Sequence, residues 1–264
     1  MSVLVCFHAH PDDEVFTTGG VMRLAADAGH RVVLVTATDG ALGEVPDGLL
    51  ADGEALADRR RRELEASADV LGAHRVVMLP YADSGMAGAP TNSAPRAFAG
   101  ADVASAAARL AEVLRDERAD VVTVYDPHGG YGHPDHVQVH RVGVHAADLA
   151  GVEHVYEATT NRDHVRTMMS AMSERAGADG AAAEAGRMPD LDTFGLPDAD
   201  ITTAIDVSSV IAAKRAAMRM HASQIGDFGP FLELPDDMLV AAFGTEWFRR
   251  RGTPPGQRET MLPL

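Results

Sequence analysis

The sequence predicts an α/β fold: a Rossmann-like sheet of mostly parallel strands with helices packed on both faces. Short, apolar, β-branched segments alternate along the chain with longer segments whose apolar residues recur at helical spacing. Strands and helices that alternate in this way are joined by right-handed crossovers, which place the strands parallel and the helices on both sides of the sheet. The chain has 264 residues, of which 46% are hydrophobic and 23% are charged, and this is enough for one large domain of this kind.

The predicted strands and helices follow one another in a regular order. Buried strands are predicted over residues 3–7, 32–36, 76–79 and 121–125. Helices are predicted between them near residues 15–29, 54–72 and 101–118, and Asp102 is expected to cap the third helix. Beyond these, we expect a helix from about 135 to 150, a strand near 153–158, a strand near 201–206, a helix near 207–222 and an extended segment near 243–249.

One stretch of the sequence lacks periodicity. Residues 176–199 are rich in alanine, glycine and acidic residues, and they predict a surface excursion. We therefore interpret residues 1–264 as a single domain. Its core spans residues 1–160, a variable segment spans 161–200, and C-terminal elements span 201–264.

Charge and composition restrict the partners of the chain. It carries 39 acidic and 23 basic residues, a formal net charge of −16. Nucleic acids and anionic membranes both require a basic surface, so both are disfavoured as partners. The one cysteine, Cys6, excludes an intrachain disulfide, and neither a signal-peptide core nor a membrane-spanning apolar run is found. We expect a cytoplasmic protein that acts on a small molecule, with a homo-oligomer left open.

The histidines are concentrated in one part of the sequence. Five of the 12 fall within eighteen residues that follow the strand 121–125, and these five are His128, His133, His136, His140 and His145. Glycines and prolines predict a loop after that strand, and a helix is expected to begin near Asp135.

A second polar cluster follows the first strand, where residues 8–14 read HAHPDDE. His10 and Asp13 are three residues apart on the turn that enters a helix, so both side chains can converge on one point. In doubly wound sheets, ligands bind beyond the carboxyl ends of the strands, where the strand order reverses. Because the first and fourth strands flank that crevice, we expect His10, Asp13 and His136 to meet there.

This set of side chains predicts a catalytic metal site. Two imidazoles and one carboxylate fill three positions of a tetrahedral zinc ion and leave the fourth for water, and ferrous iron accepts the same ligands. Such a metal brings the pKa of its water towards ~7 and polarises a carbonyl oxygen. Asp12, beside Asp13, is then expected to act as the general base. His133, one helical turn before His136, is expected to lie over the developing oxyanion.

Each motif also has a purely structural interpretation. The acidic residues at 12–14 could simply favour a helix N-terminus, and residues 133–135 could form a turn and a cap. The joint occurrence of the motifs, in loops that the topology brings together, favours the metal site. A nucleotide-binding Rossmann protein would need a glycine-rich turn after the first strand, and a serine hydrolase would need a GxSxG motif. The sequence has neither.

The motifs resemble those of a known family. AHPDDE at 9–14 and GHPDHVQVH at 132–140 are similar in sequence, order and spacing to the motifs of the PIG-L (LmbE-like) zinc-dependent N-deacetylase superfamily. DSGM at 83–86 and YDPHGGY at 125–131 resemble the branch of that superfamily that handles mycothiol and its precursors. The resemblance covers roughly residues 3–160.

The resemblance implies a role for each matching residue. It implies the zinc ligands and the general base named above, and it implies that His133 supports the tetrahedral intermediate. Tyr131 is implied as a mobile second donor to the oxyanion, although it could also be a loop aromatic that packs on glycines. Arg60 is implied as a substrate-contacting residue and Asp83 as a carboxylate that binds sugar hydroxyls. Four consecutive arginines at 59–62 allow the register of Arg60 to shift by one residue, and we expect three of the four on a solvated helix face.

The function that the resemblance implies is that of a metal-dependent hydrolase. It would remove the N-acetyl group from an N-acetylglucosaminyl-type substrate through zinc-activated water. An amidase that cleaves mycothiol-type S-conjugates is the first alternative, but VFTT at 15–18 lacks the lysine associated with that amidase. A non-catalytic, metal-dependent sugar-binding protein is the second alternative, and such a protein would not need Asp12. A weaker resemblance to the family lies between Lys214 and Gln224.

Overall fold

The computed structural model describes residues 1–170, 193–256 and 258–264. Most of the surface excursion expected over residues 176–199 lies outside the described residues.

The described residues form one seven-stranded sheet. Its strands are β1 (Val3–His8), β2 (Arg31–Thr38), β3 (Arg75–Tyr81), β4 (Val121–Tyr125), β5 (His154–Thr159), β6 (Thr203–Asp206) and β7 (Thr245–Arg250). The order across the sheet is β3-β2-β1-β4-β5-β7-β6. Strands β1 to β5 are all parallel to one another, whereas β7 runs antiparallel to both β5 and β6. The predicted mostly parallel sheet is confirmed, and its antiparallel pairs involve the C-terminal strands.

The helices of the described residues fall between these strands. They are α1 (Asp13–Thr17), α2 (Gly19–Asp27), α3 (Leu56–Leu71), α4 (Val103–Glu117), the single turn α5 (Gly129–Gly132), α6 (Pro134–Ala150), α7 (residues 162–170, where the first described stretch ends), α8 (Ile211–Met220), α9 (Ile225–Leu232) and α10 (Asp236–Phe243). Asp102 caps α4 as predicted, because its side chain accepts a hydrogen bond from the Ser105 amide. Within the described part of the chain, no helix is both long enough and apolar enough to cross a bilayer.

The helix expected near residues 15–29 is broken into two. Thr18 has non-helical backbone angles (φ −140°, ψ −2°) and separates α1 from α2. The break directs the first amides of α2 towards Glu246, whose carboxylate accepts hydrogen bonds from Gly20 N at 2.7 Å and Val21 N at 2.8 Å. A distant residue therefore determines where this helix begins, and local spacing could not show it.

Helices cover both faces of the sheet, as predicted. Helices α2, α3 and α8 pack against one another, and α4 packs against α6. Helix α2 contacts β1 and β2, whereas α6 contacts β1, β4 and β5. Strands β1 and β4 are buried along their whole length, which explains why their sequences are continuous apolar runs.

The reversal of strand order beside β1 positions the candidate site. Strands β2 and β3 lie on one side of β1, and β4 and β5 lie on the other. Because β1 and β4 are adjacent and parallel, the loops that follow them leave the sheet at the same edge. These two loops carry the two histidine motifs.

Candidate metal centre

The loop after β1 carries His10, Asp12 and Asp13. The Oδ2 atom of Asp13 accepts a hydrogen bond from the His10 backbone amide at 2.7 Å, which closes the turn and holds the carboxylate close to the His10 ring. Asp12 is the N-cap of α1 and has a φ of 104° and a ψ of −26°. This left-handed conformation is strained for a residue other than glycine. One strained turn therefore presents all three polar side chains.

The loop after β4 positions His133 and His136. His133 is the N-cap of α6, and its Nδ1 atom accepts a hydrogen bond from the Asp135 amide at 3.1 Å. Pro134 follows at the start of the helix, where no amide donor is needed. Gly129 in α5 has a φ of 65°, and a Cβ there would lie 2.6 Å from the Cβ of His136. The loop can therefore approach His136 only because Gly129 has no side chain.

The two loops meet at Asp13. Its Oδ2 atom lies 3.4 Å from His10 Nδ1, and its Oδ1 atom lies 3.3 Å from His136 Nε2. The ring centroids of His10 and His136 are 5.3 Å apart, and the His133 ring lies 4.7 Å from His10 and 5.1 Å from His136. All three imidazoles are buried. The structure thus brings the three expected ligands and His133 together.

This geometry fits a tetrahedral metal ion. Two ligand atoms about 2.0–2.1 Å from such an ion lie about 3.3 Å from each other. The two Asp13 contacts, each made by a different carboxylate oxygen, are close to this length. The Nε2 atom of His136 is buried, and apart from its 3.3 Å contact with Asp13 Oδ1 it makes no hydrogen bond among the described residues, as expected of a nitrogen that binds a metal. The compact groups of candidate ligand atoms in the described residues are His10 with His133 and His136, and His10 with Asp83, His133 and Asp135. Asp13 belongs to neither group and joins the cluster through its separate contacts with His10 and His136. The cluster could therefore bind a metal ion.

Carboxylates surround the other nitrogen of His10. His10 Nε2 lies 3.2 Å from Asp135 Oδ2 and 3.5 Å from Asp83 Oδ1. Burial lowers the pKa of His10, but hydrogen bonds to Asp13, Asp135 and Asp83 more than offset this and hold the pKa well above its ordinary value. A histidine that binds a metal through one nitrogen and a carboxylate through the other is the usual arrangement in metalloproteins.

Asp83, the expected sugar-binding carboxylate, lies against His10. Its Oδ1 atom accepts a hydrogen bond from the Gly85 amide at 2.8 Å, and its Oδ2 atom accepts one from the Leu42 amide at 3.1 Å. Burial raises the pKa of Asp83, but the combined effect of His10 and these amides is larger and in the opposite direction, so the net pKa lies below the ordinary value. The side chain is therefore a fixed anion at the edge of the cluster.

Arg60, the expected substrate contact, binds Asp12 in this structure. Its guanidinium lies 2.9 Å from Asp12 Oδ2 and donates hydrogen bonds to the backbone carbonyls of Gly40, at 2.7 Å, and Pro11. Arg60 is the buried member of the arginine run. The other three pair with glutamates nearer the surface: Arg59 and Arg62 with Glu54, and Arg61 with Glu65.

The carboxyl group of Asp12 has an elevated pKa. Burial raises the pKa of Asp12 to about 7, and the attraction of Arg60 opposes this rise only in part. A carboxyl group that titrates near neutral pH can both accept and return a proton under ordinary conditions.

His133 and Tyr131 lie side by side next to the cluster. Burial lowers the pKa of His133 to about 4, so its imidazole is neutral at neutral pH. The Tyr131 ring lies 6.1 Å from the His133 ring and 4.9 Å from the His136 ring, and it is 48% exposed. Tyr131 therefore contacts two histidines and is also accessible from solvent.

The sequence predictions missed Asp135 and Ser84. Ser84 donates hydrogen bonds to Asp135 from its amide at 2.9 Å and from its hydroxyl at 2.5 Å, and Asp135 in turn contacts His10. From the sequence, Asp135 is expected only as the start of a helix. Both residues do lie in motifs that match the family, PDH at 134–136 and DSGM at 83–86, so a signal was present.

The contact between Glu14 and His221 was also missed, although both residues lie in stretches that resemble the family. Glu14 Oε1 and His221 Nε2 are hydrogen-bonded at 2.6 Å although 207 residues separate them. No local pattern can predict such a pair, because each residue alone resembles an ordinary polar residue of a helix.

An apolar cavity of about 430 Å³ adjoins the cluster. Asp13, Tyr125, Tyr131 and His136 form its polar end. The rest of its wall is mostly aromatic and aliphatic and includes Phe16, Met168, Phe194, Phe231, Phe243 and Trp247. The cluster therefore opens onto a space of the size that a small-molecule ligand needs.

Comparison of the sequence with protein families and curated proteins gives a consistent result. The family model described as PIG-L, GlcNAc-PI de-N-acetylase, matches residues 5–147. The chain is 44% identical over 256 residues to the 1D-myo-inositol 2-acetamido-2-deoxy-alpha-D-glucopyranoside deacetylase of Acidothermus cellulolyticus. This alignment covers 93% of the present chain and 87% of the relative.

Comparison with solved structures shows the same fold in enzymes of different activity. The N,N'-diacetylchitobiose deacetylase from Pyrococcus horikoshii has a TM-score of 0.61 and 20% identity, with 94% of this chain and 83% of that chain covered. The 4-carboxy-2-hydroxymuconate hydratase from Pseudomonas putida KT2440 has a TM-score of 0.60 and 21% identity, with 96% and 97% covered. At these identities the structural similarity defines the fold alone.

Proposed function

The chain belongs to the PIG-L family of de-N-acetylases and is an enzyme, and we propose that it hydrolyses the N-acetyl group of an N-acetylglucosaminyl-type sugar. One observation carries this proposal. The Asp13 carboxylate lies 3.4 Å from His10 Nδ1 and 3.3 Å from His136 Nε2, beside the Asp12 carboxyl with its pKa of about 7. Hydrolysis of an amide requires an activated water molecule and a group that accepts its proton, and a metal site with an adjacent base supplies both.

We propose 1D-myo-inositol 2-acetamido-2-deoxy-alpha-D-glucopyranoside as the substrate. The relative from Acidothermus cellulolyticus is named for this compound and is similar over nearly the whole chain. The buried Asp83 carboxylate at the edge of the cluster suits a sugar, since it can accept hydrogen bonds from ring hydroxyls. Arg60 is the second proposed substrate-binding residue, next to the carboxyl group of Asp12.

We propose that His10, Asp13 and His136 bind a zinc ion. The distances from Asp13 to both histidines favour it as the third ligand. When bound, the metal lowers the pKa of a water molecule and polarises the carbonyl oxygen of the substrate. Ferrous iron accepts the same ligands, and elemental analysis of the purified protein distinguishes the two.

Asp12 is the proposed general base. Its carboxylate accepts a proton from the water that attacks the amide carbon, and it later passes that proton to the leaving amine. Arg60 holds the carboxylate in place from 2.9 Å. The products are acetate and a free amino sugar.

His133 and Tyr131 are proposed to stabilise the charge that develops on the carbonyl oxygen. The Nδ1 atom of His133 accepts a hydrogen bond from the Asp135 amide, so the neutral ring carries its proton on Nε2. That N–H can donate to an oxyanion. Tyr131 is half exposed beside His133, and its hydroxyl is the proposed second donor.

A second candidate function is the cleavage of larger amides, such as mycothiol-type S-conjugates. The cavity of about 430 Å³ beside the cluster supports this candidate, because its aromatic wall suits a bulky apolar group. The two candidates share the chemistry at the cluster and differ in what occupies the outer space.

Amine release from three amides tests the proposed function. The zinc-loaded protein is assayed with 1D-myo-inositol 2-acetamido-2-deoxy-alpha-D-glucopyranoside, N,N'-diacetylchitobiose and a mycothiol-type S-conjugate, and protein treated with a chelator is the control. We expect the first compound to have the highest kcat/KM and to yield acetate and amine in equal amounts. A higher kcat/KM for the S-conjugate would favour the amidase, and no amine from any of the three would contradict the proposal.

A further inference from the structure

The strained turn at Asp12 is stabilised by contacts with Glu14 and Arg60. Its φ of 104° is unfavourable for aspartate, so surrounding groups must stabilise it. The Asp12 amide donates a hydrogen bond to Glu14 Oε2 at 2.9 Å. On the other side, Arg60 donates to the Pro11 carbonyl and contacts the Asp12 carboxylate. Glu14 is thus the side chain that accepts from the strained residue's own amide.

Glu14 is itself fixed by two distant elements. Its Oε1 atom accepts hydrogen bonds from Ser67 Oγ and His221 Nε2, each at 2.6 Å. All three side chains are fully buried. Ser67 lies on the inner face of α3, and His221 directly follows α8. Because neither of these elements can shift without losing core packing, the position of Glu14 is well defined.

The contact between His221 and Glu14 gives a role to the C-terminal stretch between Lys214 and Gln224 that weakly resembles the family. Lys214 binds Glu246 at 2.7 Å, and Ser223 donates to Glu63 from its amide at 2.9 Å and its hydroxyl at 2.5 Å. Lys214 also donates to the Phe16 carbonyl at 3.1 Å, so Lys214 and Ser223 both join C-terminal elements to the rest of the fold. His221 is the member of the stretch that contacts Glu14.

We propose that Glu14, held by Ser67 and His221, is the positioning residue that fixes the Asp12 carboxylate in its working place. The proposal rests on the proposed role of Asp12 as the base. A base must lie within hydrogen-bond reach of the proton that it accepts, and a displacement of about 1 Å can cost about 100-fold in rate. Without an acceptor for its amide, Asp12 loses one of the contacts that stabilise the left-handed backbone.

Matched variants of the zinc-loaded protein test this proposal. Glu14→Met keeps the side-chain volume and removes both acceptors, whereas Glu14→Gln keeps one acceptor for the Asp12 amide. Ser223→Ala is the control, because it also removes a buried hydroxyl bound to a glutamate but does not touch Glu14. We expect Glu14→Met to lower kcat at least ~10-fold with KM within about twofold, and the other two to keep kcat within about threefold.

Crystal structures of the same variants provide a readout that needs no turnover. We expect the φ of Asp12 to leave the left-handed region in Glu14→Met and to stay there in Glu14→Gln and Ser223→Ala. An unchanged Asp12 turn in Glu14→Met, or equal losses of kcat in Glu14→Met and Glu14→Gln, would overturn the positioning role. A wild-type protein that releases no amine contradicts the proposed function instead, and the Asp12 conformation still decides the positioning.

A milder pair of variants serves if Glu14→Met does not fold. Ser67→Ala removes one of the two donors that fix Glu14, and Ser223→Ala again removes a comparable buried hydroxyl elsewhere. We expect Ser67→Ala to lower kcat about three- to tenfold while KM stays unchanged. Equal kcat values for Ser67→Ala and Ser223→Ala would argue against the proposal.

Discussion

At the scale of single residues, two consecutive carboxyl groups have very different pKa values. Burial raises the pKa of both Asp12 and Asp13, and for Asp12 the pKa reaches about 7. For Asp13 the attraction of His136 and His10 is stronger than the effect of burial, so its pKa lies well below the ordinary value. One group is therefore a permanent anion that suits a cation, and its neighbour can exchange a proton near neutral pH.

Replacing Asp12 tests this division of roles. We expect Asp12→Ala to lower kcat by about 10²–10⁴, a typical contribution of a general base, while the metal content stays at the wild-type level. Steady-state kinetics and elemental analysis of the same preparation measure both quantities. Near-normal turnover in Asp12→Ala would show that another group is the base.

The pH dependence of turnover gives a second test at this scale. A base acts in its deprotonated form, so the rate falls as the pH falls below the pKa of Asp12, which is about 7 in the protein alone. A bound cation lowers this pKa further, so we expect the acidic limb of kcat/KM at or below pH 7, with about a tenfold loss per pH unit beneath it. A profile from pH 5 to 9 measures it, and a rate that rises on acidification would contradict the assignment.

At the scale of secondary structure, the sequence predicts buried strands better than short helices. Strand β4 has the predicted bounds, since each of its residues is buried and the apolar run is continuous. Helices α9 and α10, of eight residues each, were not predicted, because glycines and a proline in α9 and the short length of both resemble a loop. The break at Thr18 escaped prediction because Glu246 is far away in the sequence.

The α5 turn packs closely against His136 of the cluster, and glycine substitutions in α5 test whether the site needs this close approach. Gly129 and Gly130 both have a positive φ, 65° and 73°, so alanine is strained at either position. Only at Gly129 would the added Cβ collide with His136, whereas at Gly130 nothing lies within 4 Å. We expect Gly129→Ala to lower both metal affinity and kcat by at least ~10-fold, and Gly130→Ala to affect mainly stability.

Metal titration and thermal unfolding of the two glycine variants separate these effects. Equal metal affinities in Gly129→Ala and Gly130→Ala would show that the close approach to His136 is not needed for the site.

At the scale of the whole molecule, the sequence predicts which residues form the cluster but not which residues hold them in place. The residues of the two histidine motifs meet as expected, because parallel topology alone brings the loops after β1 and β4 together. The support behind them, such as the contact of His221 with Glu14, depends on how the C-terminal elements pack. The interpretation of residues 1–264 as one domain stays a prediction, and these long-range contacts support it.

A metal that joins two distant loops should stabilise the whole fold. His10 and His136 come together only in the folded chain, so zinc at 100 times its Kd should raise the free energy of unfolding by about 2.7 kcal/mol. For a chain of this size the corresponding rise in Tm is about 5–10 °C. Calorimetry with and without zinc measures it, and we expect the rise to disappear in His136→Ala. An equal rise in that variant would place the metal elsewhere.

The contacts of Glu246 and His221 with the first two helices have a consequence for the construction of chimaeras. A designer who wishes to change substrate range would exchange the last third of the chain with that of another family member. The transplanted piece must then supply an acid for the first amides of α2 and an imidazole for Glu14. Without the acid, two buried amides lack an acceptor, and without the imidazole, the buried Glu14 carboxylate lacks its counterpart. Modular exchange is therefore limited to donors in which both side chains occur at the equivalent positions.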